Sequence, residues 1–178
     1  VGINETRTGI IEILKLMGAD ITLINEREVG GEWVADIQVN SSQLKGIEIP
    51  EHLVPLAIDE FPVLFVAAAC AEGVTVLTGA EELRVKESDR IQVMADGLQQ
   101  LKVKAEPTPD GMIIRGGEIE GGEVISHGDH RIAMAFAIAG LRSKAPIVIH
   151  DCENVNTSFP EFVSLAGGLG LDISQTNG

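Results

Sequence analysis

Three observations on the sequence predict an α/β fold, of the α+β kind in which small sheets cover a buried helical centre. The order helix, stop, strand occurs three times, over residues 6–24, 92–106 and 161–173. Two further segments, Phe61 to Ala71 and Ile132 to Leu141, are apolar on nearly every side, a pattern that suits central helices rather than surface ones. Matching the polar clusters that precede them, Asp59 with His130, gives a period of roughly 70 residues, the mark of a duplicated supersecondary unit. Each unit reads as helix, strand, helix, strand, strand.

At the start, Val1-Gly2-Ile3-Asn4 reads as a strand end leading straight into a helix from Thr6 to Met17, which predicts a boundary inside a longer chain. Ile10, Ile11, Ile13, Leu14 and Leu16 give that helix a broad apolar face, and Gly18 stops it before a strand from Asp20 to Ile24. A hairpin is predicted to turn at Gly30-Gly31. Asp59-Glu60 opens the first apolar helix, with Pro62 in its first turn. Leu83 to Ile91 reads as the start of a helix that continues from Gln92 to Leu101, followed by a strand from Val103 to Glu106 and a turn at Pro109-Asp110-Gly111. After a bend at Gly121-Gly122, the cluster His127-Gly128-Asp129-His130-Arg131 opens the second apolar helix. The last elements predicted are a helix from Glu161 to Leu169 and, past Gly170, a strand at Leu171-Asp172-Ile173.

With 178 residues, 44% of them hydrophobic and only 3% aromatic, the chain is expected to be one globular domain or a compact part of a larger one. Its 27 acidic residues against 13 basic ones leave a net charge of −14, which argues against nucleic acid as a partner. The longest apolar runs, Pro62 to Ala71 and Ile132 to Leu141, are too short to cross a bilayer, so no membrane partner is expected. Cys70 and Cys152 make no disulfide framework, and Cys70 lies in the run Val66 to Ala71 as a small core residue, which fits a reducing, cytoplasmic setting.

Against this acidic background the stretch Arg84-Val85-Lys86-Glu87-Ser88-Asp89-Arg90 stands out. At the N-terminus of a helix its three cations oppose the dipole, and Lys86 and Arg90 repel at i, i+4 by about 0.2 to 0.5 kcal/mol. An anionic ligand would remove that conflict. If the units stack with their helices aligned, Asp59, Lys86 to Arg90 and His130-Arg131 converge as helix N-termini suited to phosphate and carboxylate. Arg90 and Arg131 would then fork onto a small polyanion, Lys86 would hold a charged or hydroxylated substrate, Glu87 would exchange a proton, and Asp59 would accept one from a hydroxyl. The scheme calls on no metal and no cofactor. The residues also have plainer readings. Lys86, Glu87 and Arg90 suit ordinary ion pairs on a solvated helix face, Asp59 suits an N-cap, and Arg131 suits a local pair. His127, Asp129 and His130 lack further His or Cys at metal-ligand spacing, and Arg7, in a first helical turn, reads as structural.

Taken together, Leu83 to Arg90, the segment Ile58-Asp59-Glu60-Phe61-Pro62, the segment Asp129-His130-Arg131-Ile132-Ala133-Met134 and Thr157-Ser158-Phe159-Pro160 resemble the 5-enolpyruvylshikimate-3-phosphate synthase family in order and spacing. The resemblance extends over essentially the whole chain, including Asn4 to Gly9. It implies an enolpyruvyl transferase-like fold of repeated βαβαββ units, arranged in that family as two similar domains with the substrates between them. Residues 1–178 would then be a single-domain portion matching the family's C-terminal part, with the opposite domain and the N-terminal segment as missing partners.

The activity implied is transfer of the enolpyruvyl group of phosphoenolpyruvate to the 5-hydroxyl of shikimate 3-phosphate with release of phosphate, a step toward chorismate and the aromatic amino acids. The fragment alone is expected to be inactive. By resemblance Asp59 contacts the shikimate hydroxyl and acts as base, Lys86 binds shikimate 3-phosphate, Glu87 transfers a proton, and Arg90 and Arg131 hold phosphoenolpyruvate with His130 nearby. One departure falls at Asn156-Thr157-Ser158, where many members carry a lysine shortly before the Phe-Pro. The alternatives are an enzyme like UDP-N-acetylglucosamine enolpyruvyltransferase and a non-catalytic anion-binding module.

Overall fold

Phe61 to Cys70 carries apolar side chains on every face, and the rest of the chain is arranged to cover them: none of its ten residues is exposed. The structure, a computed structural model, describes residues 1–176. After a 3-10 turn at Glu5–Arg7 come α1 (Gly9–Leu16), β1 (Asp20–Val29) and β2 (Glu32–Asn40). Two more 3-10 segments, Glu51–Leu53 and Pro55–Glu60, lead into α2 (Phe61–Cys70) and β3 (Val74–Leu77). A turn at Glu81–Val85 precedes α3 (Arg90–Gln100), β4 (Lys104–Thr108) and β5 (Gly111–Arg115). The chain continues through β6 (Gly122–Ile125), α4 (His130–Ala139), β7 (Ile147–His150), α5 (Val155–Ser158) and α6 (Phe162–Gly168).

The repeated unit is visible in the strand pairing. β4 and β5 form a hairpin at Pro109-Asp110, and β5 lies between β3 and β4 with both contacts antiparallel. β1 and β2 form the equivalent hairpin one unit earlier, and β2 is flanked by Val1 to Ile3 through an antiparallel bridge from Gly2 to Val34. The turn at Gly30-Gly31 has φ of 61° and 87°, the doubly left-handed geometry of a type I′ turn that glycine adopts without steric cost. In the third unit β6 pairs with β7 in parallel, with α4 as the crossover between them.

Three helices pack together at the centre. α2 lies against α4, and α3 touches both. Phe61, Phe136, Ile91, Met94, Leu98 and Ile132 are all fully buried there. Each such side chain contributes about 1.5 to 3 kcal/mol when removed from water. The α/β class and the two central apolar helices are therefore as the sequence reading expected.

Three local expectations are corrected. The first helix does not begin at Thr6: Asn4 caps a separate 3-10 turn, and α1 starts at Gly9, where a Cβ would lie 2.7 Å from the Leu56 carbonyl carbon, so the chain must turn tightly against the next segment. Lys86 to Asp89 is not helical. Asp89 accepts a hydrogen bond from the Gln92 backbone N–H at 3.0 Å, which makes it the N-cap and sets Arg90 as the first helical residue. Lys86 and Arg90 are thus not stacked on one helix face, and the repulsion expected of such a pair does not arise.

The third correction concerns Leu171-Asp172-Ile173, which forms no strand. In the second unit the matching strand, β4, is held by the central strand β5. In the third unit the space beside β7 is a groove of about 790 Å³ bounded by α4, α6 and residues 171–176, so among the described residues the segment has no ladder to join.

Candidate active site

Asp59 is the point on which the polar clusters converge. It is the penultimate residue of the 3-10 segment leading into α2, and 26% of its side-chain surface is exposed. Four cations surround it: Arg90 at 3.4 Å, Arg7 at 3.6 Å, Arg131 at 3.8 Å and Lys86 at 3.9 Å. These come from the ends of different elements, Arg90 at the start of α3, Arg131 in the first turn of α4 and Lys86 in the loop before α3. Stacking of α2, α3 and α4 brings their N-terminal ends together.

Arg90 is fully buried, and each of its three guanidinium nitrogens faces a carboxylate. Nε donates to Asp129 Oδ2 at 2.8 Å, Nη2 to Glu87 Oε2 at 2.5 Å and Nη1 to Asp59 Oδ1 at 3.4 Å. The conflict of three cations at one helix start is therefore met by the protein's own carboxylates. Arg84 pairs with Asp89 at 2.6 Å and donates to the Pro109 carbonyl, and Lys86 pairs with Glu82.

Glu87 is 53% exposed, so it joins the buried Arg90 to open solvent. Arg131 donates through Nη1 to the Asp59 carbonyl at 3.1 Å and lies 3.8 Å from Glu60. His130 is half-buried as the first residue of α4, and its ring makes no hydrogen bond among the described residues. All six residues singled out in the sequence, Asp59, Lys86, Glu87, Arg90, His130 and Arg131, thus stand on adjoining element ends.

Asp129 is the residue the sequence reading set aside. Its carboxylate is fully buried, accepts from Arg90 Nε and the Ser88 hydroxyl, and caps α4 through the backbone N–H groups of Arg131 and Ile132. Burial pushes its carboxyl up, but the Arg90 hydrogen bond and charge, with the two backbone donors, hold it below the usual carboxylate range. Its signals in the sequence are its place before an apolar helix, which marks a cap, and its membership of the Asp129 to Met134 segment, and neither points to Arg90. Arg7, structural by its sequence position, lies against both Asp59 and Glu60.

The charges of this cluster decide what it can do. Arg7, Lys86, Arg90 and Arg131 make four cations, while Asp59, Glu60, Glu82, Glu87 and Asp129 make five carboxylates, a balance of −1. A polyanion entering here must displace a carboxylate from Arg90 or Arg131, or be met by cations from another wall.

Comparison with known proteins gives the family. Residues 1–165 match the family model described as EPSP synthase (3-phosphoshikimate 1-carboxyvinyltransferase). A protein of that name from Methylococcus capsulatus is 70% identical over 173 residues, and one from Alkalilimnicola ehrlichii is 69% identical over 176, covering 97% and 98% of this chain. The chain spans about 40% of the length of these curated relatives. The solved EPSP synthase of Acinetobacter baumannii superposes with a TM-score of 0.94 at 62% identity, over 98% of this chain and 42% of that one. The enolpyruvyl transferase NikO of Streptomyces tendae shares the fold at a TM-score of 0.71 and 19% identity, over 97% of this chain and 37% of that one. On the extent of these matches, the chain belongs to the EPSP synthase family.

Proposed function

We propose that the longer protein to which this chain corresponds in part transfers the enolpyruvyl group of phosphoenolpyruvate to the 5-hydroxyl of shikimate 3-phosphate, releasing phosphate. The observation that carries this reading is the position of two carboxylates on one guanidinium: Asp59 on Nη1 of Arg90 and Glu87 on Nη2. Two proton-transfer groups, one for each substrate, are thereby held side by side, next to the fork that would take the carboxylate of phosphoenolpyruvate.

The residues divide the chemistry as follows. Asp59 takes the proton of the 5-hydroxyl as its oxygen bonds to C2 of phosphoenolpyruvate, while a proton is added to C3. The resulting tetrahedral adduct loses phosphate from C2 and a proton from C3, which re-forms the double bond as the enol ether of the product. Glu87, half in solvent, would handle the C3 proton. Arg90 and Arg131 hold the phosphoenolpyruvate with His130 nearby, and Lys86 holds shikimate 3-phosphate against Asp59.

The charge balance of the cluster supports a second wall. Both substrates are polyanions, and four cations already faced by five carboxylates are a weak site for them. The remainder of the longer protein, as an opposite domain, would supply further cations and exclude water. The chain alone is then inactive. The reading places the enzyme in the cytoplasm, in keeping with two free, half-buried cysteines.

A coupled phosphate-release assay tests both parts. The full-length protein is expected to release phosphate only when phosphoenolpyruvate and shikimate 3-phosphate are both present, and the isolated chain to release none. Absence of release by the full-length protein would refute the activity. Turnover by the isolated chain near the full-length rate would refute the need for a second wall.

A further inference from the structure

We propose that Asp129 is a positioning residue for this site, holding the Arg90 fork and the His130-Arg131 turn as one rigid anion-binding unit. The inference rests on the function proposed above and goes beyond it by assigning a role to a side chain that does not face the substrates. Asp129 is fully buried and divides its two oxygens between two tasks. Oδ2 accepts from Arg90 Nε at 2.8 Å and from the Ser88 hydroxyl at 3.1 Å. Oδ1 accepts from the backbone N–H of Arg131 at 2.9 Å and that of Ile132 at 3.4 Å.

The consequence is geometric. A guanidinium gripped at Nε cannot rotate freely about its stem, so its Nη1 and Nη2 edge is aimed toward Asp59 and Glu87, at the exposed side of the cluster. The same carboxylate fixes the first turn of α4, from which Arg131 projects to within 3.8 Å of the Asp59 carboxylate. Two cations on different helices thus take their separation from one buried group. The loop that carries Asp129 is itself tied down. The Ser126 hydroxyl donates to the carbonyls of His150 and Asp151, the Gly128 N–H donates to the Asp151 carbonyl at 3.1 Å, and the Asn154 amide donates to the Gly128 carbonyl. A site whose ligands must meet a carboxylate and a phosphate together depends on such fixed spacing.

The test uses the full-length protein with Asp129→Asn and Asp129→Ser. Both replacements retain an N-cap acceptor for α4, and neither presents a carboxylate to Arg90 Nε. If either variant fails to fold, the other carries the test. The expected result is a KM for phosphoenolpyruvate raised about tenfold or more, the effect of one charge-assisted bond, with the KM for shikimate 3-phosphate changed less than about twofold. A buried carboxylate that only stabilised the fold would lower the melting temperature and leave that split absent. Equal changes in both KM values, or a KM for phosphoenolpyruvate within about threefold of wild type in a folded variant, would overturn the proposal. Should the wild type show no turnover, the activity reading fails, and the role is read instead from calorimetric affinity for phosphoenolpyruvate alone. An approximately tenfold loss in the variants then supports it, and equal affinities overturn it.

Discussion

At the scale of the residue, the centre of interest is a buried arginine held by three carboxylates. Removing Arg90 has two separable effects. Arg90→Ala takes away the proposed fork for phosphoenolpyruvate and also leaves Asp129 as a buried charge without its partner, which costs about 3 to 5 kcal/mol of stability. The double variant Arg90→Ala with Asp129→Asn is therefore expected to be more stable than Arg90→Ala alone, as judged by urea denaturation. If adding the second substitution lowers stability further, the ion pair is not the source of the first loss.

Asp129 also gives a pH prediction. Although burial opposes its ionised form, Arg90 and the α4 backbone donors set its folded-state pKa below the unfolded value of about 3.9. A depressed carboxyl stabilises the fold fully above the unfolded pKa and loses that contribution as pH falls through the folded value. The stability gap between wild type and Asp129→Asn should accordingly be largest near neutral pH and shrink in acid. Denaturation curves at neutral pH and near pH 3 would show this, and a gap independent of pH would contradict it.

Among the elements, close helix packing is the feature most open to test. Gly97 sits in α3 where an added Cβ would lie 2.2 Å from Cζ of Phe136, a ring that is itself fully buried on α4. Gly97→Ala gains about 1 kcal/mol of helix propensity but overpacks the core, at a cost of about 1 to 3 kcal/mol. A contact this short places the cost at the upper end, so a net loss of about 1 to 2 kcal/mol is expected by urea denaturation. A more stable variant would mean that α3 and α4 can move apart freely. This contact was not legible in the sequence, where Gly97 is one small residue inside an amphipathic helix. The helices themselves were. α2 and α4 announce their burial by apolarity on every face, and the β1–β2 and β4–β5 hairpins are announced by Gly30-Gly31 and Pro109-Asp110-Gly111. α3 starts later than the charge cluster suggests, because the deciding local signal is the cap at Asp89.

For the whole molecule, the three units differ in completeness. β5 is the central strand of the second sheet, and the third unit has a groove of about 790 Å³ in the corresponding place, beside β7 and residues 171–176. In the full-length protein, amide exchange in residues 147–150 and 171–173 is expected to be slower than in the isolated chain, because a paired strand protects its N–H groups. Equal exchange rates in the two proteins would show that nothing from the remaining protein enters this groove.

The sequence by itself determined the period of the repeat, the central helices and the residue types of the site, because apolar periodicity, turn glycines and charge clusters are local or regularly spaced properties. The resemblance carried by Lys86 to Arg90 and Asp129 to Met134 was of the same kind, being written in short contiguous motifs. Only the tertiary structure decided which charge meets which. The group that neutralises Arg90 most closely from within the core lies 39 residues away, at Asp129, and Arg131 reaches the Asp59 backbone across 72. Pairings at such separations are fixed by how α2, α3 and α4 stack, and no local pattern encodes them. The Lys86 to Arg90 cluster, read in isolation as cations awaiting an anion, is in the folded chain already balanced by the protein's own carboxylates.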